Sequence, residues 1–388
     1  MRAQRRLAGL VCGMLNASLP AANRDWALAT RAEVAAIDND AEALAFALET
    51  FWGLGVPGLG CRLLRIAVKL GGDDGLGQGL PRLGWRDRLR YWPRALGVAS
   101  AFGACLMGFA YLAAAGAPGL YIVGNIAALG LGLVMLALVG RSLSSTAAGL
   151  GSVLLGLSLV LLGTAAFGEG ASGATRWLRL GGLAVQPSLI ILPAMVVGFA
   201  RSRTVPSVLA MILAAGALAL QPDRATAGAL CAGLAAQWLL RPDRRGLIAF
   251  AASAVGWSIA LMRADALPPT PFVDGVLASA LDVHALLGLA VLGAMGLLLA
   301  PGLLGSLHGA DAQEAYFAFA AVWAALFLAG AAGPYPTPIV GYGGSAIVGY
   351  LLSLALLPSR VPEVSDGRSA VHGDSRAPPD PSLRLAQP

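Results

Sequence analysis

Charge is what this sequence lacks most. Asp, Glu, Lys and Arg make up 12% of its 388 residues, against 57% hydrophobic residues and a mean hydropathy of +0.72. Soluble domains carry about 25% charged residues, and half that content cannot cover a water-facing surface of this size, so the chain reads as an integral membrane protein. Also missing are the segments of about ten residues, alternately apolar and polar, that a spanning β-barrel requires. The apolar runs are long and unbroken instead, which excludes a barrel and predicts an all-α, polytopic helix bundle. Cysteine and histidine are scarce. Cys12, Cys61, Cys105 and Cys231 are widely spaced, the last two inside apolar runs, and His284, His308 and His372 are scattered, so neither a disulfide framework nor a metal cluster is expected.

The charges that are present are mostly basic, with a net charge of +6 and a pI near 9.5. Nucleic-acid binding needs basic residues along one face, whereas here Arg clusters alternate with apolar runs, as positive-inside topology demands. No nucleic-acid partner is expected. After Arg94, ten stretches of roughly the length needed to cross about 30 Å of hydrocarbon follow one another, at 95–115, 119–140, 145–167, 182–200, 205–221, 225–240, 246–262, 283–304, 315–333 and 339–358. Arg201, Arg203, Arg241, Arg244, Arg245 and Arg360 fall on one side, which is therefore expected to be cytoplasmic, with both termini on that side.

Residues 1–94 precede the spans. Met1–Pro20 faintly resembles a signal peptide, but its apolar part holds two glycines and stops at Asn16. From Asp25 to Trp52, apolar residues recur three and four apart at Val34, Ile37, Ala41, Leu44, Leu48 and Phe51, the stripe of an amphipathic helix in a cytoplasmic or membrane-surface segment. Gly71–Gly79 reads as a flexible loop, and Trp85–Arg94, where Arg alternates with Trp and Tyr, as a headgroup-interface segment. Residues 359–388, rich in Pro, Ser, Asp and Arg, are expected to be a disordered cytoplasmic tail.

Chemistry concentrates in the outward connections. Gly173-Ala174-Thr175-Arg176-Trp177 is followed by Gln186-Pro187-Ser188; then come Gln221-Pro222-Asp223-Arg224-Ala225-Thr226, Leu267-Pro268-Pro269-Thr270-Pro271-Phe272-Val273-Asp274, and Gly341-Tyr342-Gly343-Gly344-Ser345. These segments are polar or Gly/Pro-rich beyond what a minimal turn needs, and they are able to form one site. Asp223 beside Arg224 reads as a helix-start ion pair, because either charge alone at mid-membrane costs roughly 2.5–3.5 kcal/mol on insertion.

In order, spacing and side, these segments resemble the SEDS family of shape, elongation, division and sporulation proteins, to which FtsW, RodA and SpoVE belong. The family's Gly-Ala-x-Arg-Trp and Gln-Pro-Ser-Glu are similar to Gly173–Trp177 and Gln186–Ser188, with Leu189 in place of Glu and Leu192 in place of a following Lys. Gln-Pro-Asp-Leu-Gly-Thr is kept at Gln221, Pro222, Asp223 and Thr226, and Leu-Pro-Phe-x-Ser-Tyr-Gly-Gly-Ser resembles Thr337–Ser345. The resemblance covers about residues 95–358. It implies a ten-span glycosyltransferase that polymerises lipid II, or a related polyprenyl-pyrophosphate saccharide, at the outer face in cell-wall synthesis, with a transpeptidase of the penicillin-binding class as partner. It places the catalytic carboxylate at Asp274, although Phe272-Val273 replace His-Thr and Gly275 replaces Phe. Asp282 and Asp265 are the alternative bases, and Arg176, Trp177, Gln186, Ser188, Asp223, Thr226, Tyr342, Gly343, Gly344 and Ser345 are expected to line the substrate site.

Glycan extension needs a base at the acceptor hydroxyl and positive charge at the departing pyrophosphate, for which Arg176, Arg179, Arg224 and Arg263 are at hand. The donor carries its own leaving group, so no cofactor is expected. The lost Glu, Lys, His and Thr suit a second reading, a catalytically degenerate protein that binds a lipid-linked precursor or scaffolds a cell-wall complex. A transporter of lipid-linked substrate is a third, for which the chain shows neither an obvious repeat nor a mid-span charge pair.

Overall fold

The computed structural model describes residues 2–19, 24–51, 93–142, 147–171, 174–180, 183–263, 268–308 and 310–358. The segments read as a flexible loop at 71–79 and as the tail at 359–388, most of the interface segment at 85–94, and Asp265 lie outside these residues.

Three short helices come first: α1 (Arg2–Ser18), α2 (Arg24–Ala36) and α3 (Asp40–Thr50). The single amphipathic helix expected over 25–52 is broken at 37–39. Asn39 accepts from the Ala41 N–H at 2.9 Å and starts a new helix, as short amide side chains do at an N-cap. Arg5 of α1 holds the break open, donating to the carbonyls of Val34, Ile37 and Asp38 and pairing with Asp40 at 2.8 Å. Leu7, Val11, Leu15, Val34, Leu44 and Phe51 close the interior of this unit.

The bundle follows as α4 (Pro93–Ala114), α5 (Gly119–Ser142), α6 (Ala147–Phe167), β1 (Glu169–Ala171), β2 (Ala174–Leu180), β3 (Leu183–Val185), α7 (Pro187–Arg201), α8 (Val205–Leu220), α9 (Arg224–Leu240), α10 (Arg244–Met262), α11 (Val276–Val283), α12 (Ala285–Gly305), α13 (Ala310–Ala332) and α14 (Gly344–Leu356). Each of the ten apolar runs is a helix. Six, namely α4, α5, α6, α10, α12 and α13, are long and apolar enough to cross a membrane, while α7, α8 and α14 are shorter apolar helices and α9 has 17 residues. The fourth run starts later than expected, at Pro187 rather than 182, because a small antiparallel sheet, in the order β1-β2-β3, takes up residues 169–185. Pro187 at the first helical position marks the true start, since its fixed φ and missing N–H suit that place.

Helix α7 lies at the centre, packed on α6, α9, α13 and α14, with all of Pro187–Phe199 buried except Ile190. Helix α5 is the opposite case. Leu120, Val123, Ile126, Leu131, Val134 and Leu138 are all more than half exposed, which in a membrane means contact with lipid tails, where apolar surface costs nothing. Short polar residues fix the turns between helices: Thr204, Asp223 and Asp243 each cap the helix that follows.

The N-terminal unit sits beside the C-terminal part of α4. α1 packs on α4, and a cavity lined by Leu7, Val11, Leu44, Ala110, Val283 and Leu287 separates the unit from the α11–α12 junction. That end of α4 also carries the polar connections, whereas positive-inside reasoning assigns residues 1–94 to the other end. Arg5 is spent on the carbonyls of Val34, Ile37 and Asp38 and on Asp40, and the apolar stripe of α1 finds cover mainly on α3 and α2, with a smaller contact to α4.

Candidate functional site

The connections singled out in the sequence meet at one end of the bundle. β2 carries Arg176 and Trp177 inward and along the sheet. Arg176 is 5% exposed and donates from Nη2 to the carbonyl of Pro222 and from Nε to that of Gln221 at 3.5 Å. Its guanidinium lies 5.9 Å from the Trp177 ring centroid. Gln221 in turn donates to the Leu161 carbonyl at 2.8 Å, so the first and second motifs and α6 are braced together.

Asp223 is the hub. It is 1% exposed, and a buried carboxylate is tolerated only when donors replace the water it loses. Oδ2 accepts from Gln186 Nε2 at 3.0 Å and from Ser188 Oγ at 3.0 Å, and Oδ1 caps α9 through the Thr226 N–H at 3.3 Å. Gln186 also donates to Ser188 Oγ at 3.1 Å. Asp223 therefore does not make the expected ion pair with Arg224, which turns outward to the carbonyls of Ala260 and Arg263. Arg263 likewise donates to the carbonyls of Ala219 and Leu220 at 3.1 and 2.9 Å. These two arginines close helix C-termini, where carbonyls lack intrahelical partners.

Ser345 joins this network to the fourth motif, its Oγ accepting from the Gln186 N–H at 3.0 Å. The same motif is sewn to the Asp274 loop by its backbone. Tyr342 N–H donates to the Phe272 carbonyl at 2.7 Å, Thr337 N–H to the Val273 carbonyl at 2.9 Å, and Asp274 forms an antiparallel bridge with Pro336. Gly341 is required there, because a Cβ would come within 2.8 Å of the Phe272 carbonyl. Gly343 N–H is engaged by Asn125 Oδ1 at 3.2 Å, and a Cβ on Gly344 would press on Ala128 at 3.0 Å. Gly344 therefore serves close packing of α14 on α5, whereas a Cβ on Gly343 would meet open space.

Asp274 is partly exposed. Its Oδ2 accepts from the Thr270 N–H at 2.7 Å, and its own N–H donates to the Thr270 carbonyl at 3.0 Å. The loop thus holds the carboxylate in place by a five-residue turn. Asp282 is exposed near the end of α11, beyond the stitched loops. Leu189 and Leu192, where the family has Glu and Lys, are 6% and 0% exposed within the core.

Two contributors escaped sequence reasoning. Asn125, fully buried in α5, donates to the Gly341 carbonyl at 2.9 Å and accepts from Gly343, clamping the fourth motif on both sides. It is an amide inside an apolar run, and that was the available signal, since polar groups at membrane depth mark partners or function. Tyr121 stacks on Tyr342 with ring centroids 3.9 Å apart and meets Phe272 edge-on at 6.2 Å; a Tyr at the head of a span reads only as an interface anchor. Among the described residues no cluster of His, Cys, Asp and Glu has the makings of a metal site.

No family model matches the sequence, and no curated protein matches it either. Among solved structures, the crystal structure of the Thermus thermophilus rod shape determining protein RodA is 23% identical, with 69% of this chain and 94% of that chain covered and a TM-score of 0.49. The crystal structure of an Asp-to-Ala mutant of that RodA is 25% identical, covering 69% and 95%, with a TM-score of 0.51. The chain has the fold of that second structure and carries its polar segments in SEDS order, a likeness that supports a divergent member of the SEDS family.

Proposed function

We propose that the protein is an inner-membrane, SEDS-type glycosyltransferase of cell-wall synthesis that extends glycan from lipid II or a related polyprenyl-pyrophosphate saccharide at the outer face. The observation that carries this reading is the convergence of the motif segments into one bonded network, from Arg176 through Asp223, Gln186 and Ser345 to the Asp274 loop. Asp274 is the base. Its carboxylate takes the proton of the acceptor sugar hydroxyl as that oxygen bonds to the donor's anomeric carbon, and the bond from that carbon to the pyrophosphate oxygen breaks. The polyprenyl pyrophosphate leaves with its electron pair. Asp223 is a positioning residue, since its oxygens are taken up by Gln186, Ser188 and Thr226. The start of α4 and the end of α14 face the cytoplasm, and a transpeptidase of the penicillin-binding class is the natural partner, as the family resemblance implies.

The test is purified protein incubated with lipid II, with and without a candidate transpeptidase, followed by glycan-chain analysis. Asp274→Asn keeps the side-chain volume but is non-basic, so turnover should fall about 10²- to 10⁴-fold, with precursor binding little changed because the base acts in the transition state. Equal rates for wild type and variant would remove Asp274 from the chemistry. One observation favours the second reading, a degenerate precursor binder: Leu189 and Leu192 bury apolar groups where the family pattern has a Glu and a Lys. Wild-type protein that binds lipid II yet makes no polymer, even with its partner, would establish that reading.

A further inference from the structure

At the end of the bundle opposite the polar loops, two arginines from different helices close on the last carbonyls of α14. Arg94, in the first turn of α4, donates to the Leu357 carbonyl from Nε at 2.9 Å and from Nη2 at 2.5 Å, and Arg201, the last residue of α7, donates from Nη1 to the Leu356 carbonyl at 3.3 Å. Their charges are close enough to repel, and Tyr316, whose hydroxyl donates to the Pro358 carbonyl at 2.6 Å, stands within electrostatic reach of Arg94. Of the carboxylates described at this end, Asp243 and Glu314 are engaged elsewhere, since Arg203 pairs with both and Arg241 also faces Glu314. Among the described residues no carboxylate pairs with Arg94 or Arg201.

A helix C-terminus supplies about half a negative charge, and with the ends of α14 and α7 both present here the two guanidiniums leave about one positive charge uncompensated at the membrane boundary. Each guanidinium has five N–H donors, and these contacts use only part of them. Arg94 also extends toward α5, where a Cβ on Gly140 would lie 4.0 Å from its Nη1. Leading to Gly140 along α5, the exposed Leu131, Val134, Met135 and Leu138 form one lipid-facing strip at three- and four-residue spacing. A charged pair at the foot of an apolar strip matches one kind of molecule, an anionic headgroup on acyl chains.

We propose that Arg94 and Arg201 form a headgroup site for an anionic phospholipid, its phosphate bridging the two guanidiniums and its chains lying along the Leu131–Leu138 strip of α5. Basic pockets between membrane helices hold such headgroups, and each basic residue near an anionic surface contributes about a 5-fold gain in affinity. The full-length protein, reconstituted in phosphatidylcholine vesicles with or without an equal part of phosphatidylglycerol, should melt at a higher temperature with the anionic lipid. Titration with phosphatidylglycerol should then show about 5-fold weaker binding for Arg201→Gln, which is exposed and loses one carbonyl contact, and about 30-fold for the double Arg94→Gln, Arg201→Gln variant. Arg94→Lys keeps a charge at the foot of the strip and provides a folded intermediate if the double variant does not fold. Arg244→Gln, on the same surface but away from α14, should bind as wild type. The same loss at Arg244 as at Arg201 would mean a diffuse basic surface and would overturn the site, as would equal protection by inorganic phosphate in phosphatidylcholine vesicles.

Discussion

A carboxylate that is 1% exposed inside an apolar bundle is stable only while every lost water contact has a replacement, and Asp223 has three: an amide, a hydroxyl and a helix N–H. Ser188→Ala removes the hydroxyl and leaves the rest of the network in place. Since a hydrogen bond to a charged group contributes about 1.5–3 kcal/mol, the variant should lose that much stability in denaturant or thermal unfolding of the purified protein, and lose precursor binding in proportion as Gln186 becomes free to turn. An unchanged melting temperature would mean that Gln186 and Thr226 suffice. At the opposite end, Arg203 and Glu314 form a pair with side chains 7% and 9% exposed. Glu314→Gln removes one of the two carboxylates on Arg203, which keeps Asp243 and the carbonyls of Arg241 and Gln237, and should cost about 1.5–3 kcal/mol, read in the same unfolding assay. The motif residues were legible in the sequence, but their partners were not: Asp223 next to Arg224 suggests an ion pair, and only the packing of α7 against α9 brings Gln186 and Ser188 within 3.0 Å instead.

Among the elements, α14 does the positioning. It packs on both α5 and α7, and its approach to α7 is so close at Gly349 that an added Cβ would run into the Leu189 carbonyl. Gly349→Val should push α14 off α7 and, through Ser345, loosen Gln186. The expected cost is about 1–3 kcal/mol, as for other overpacked sites, together with lost precursor binding. A variant as stable and as tight-binding as wild type would show that α14 can shift freely without disturbing the site. The helices themselves were readable because apolar runs of 13 to 24 residues between Arg, Pro and Gly leave few alternatives. The sheet at 169–185 was not readable, since β1 and β3 have three residues each and periodicity says little over so short a stretch.

For the whole molecule, the proposed topology, in which Arg clusters alternate with ten helices, places the Asp274 loop outside. A cysteine at Thr270, which is exposed and uses its backbone for the turn, should react with an impermeant thiol reagent in intact spheroplasts. Trp26, 64% exposed on α2, makes the sharper measurement. Because α1 and α3 close on the same end of α4 as the polar connections, a cysteine at Trp26 should label from the same side as one at Thr270. Labelling at 270 in intact cells but at 26 only after lysis would return the N-terminal unit to the cytoplasmic face that the positive-inside rule assigns it.

The sequence by itself determined that this is a membrane helix bundle, where each long helix runs, and which connections hold the polar chemistry. All of these follow from local composition, because a stretch of apolar residues without charge has no other stable state in water or lipid. Only the tertiary structure decided who pairs with whom. Asn125 against Gly341 and Gly343, Ser345 against Gln186, and Asp274 beside Pro336 are contacts between residues far apart in the chain. They are set by how whole helices pack, and side-chain order along one strand of sequence carries no record of that packing.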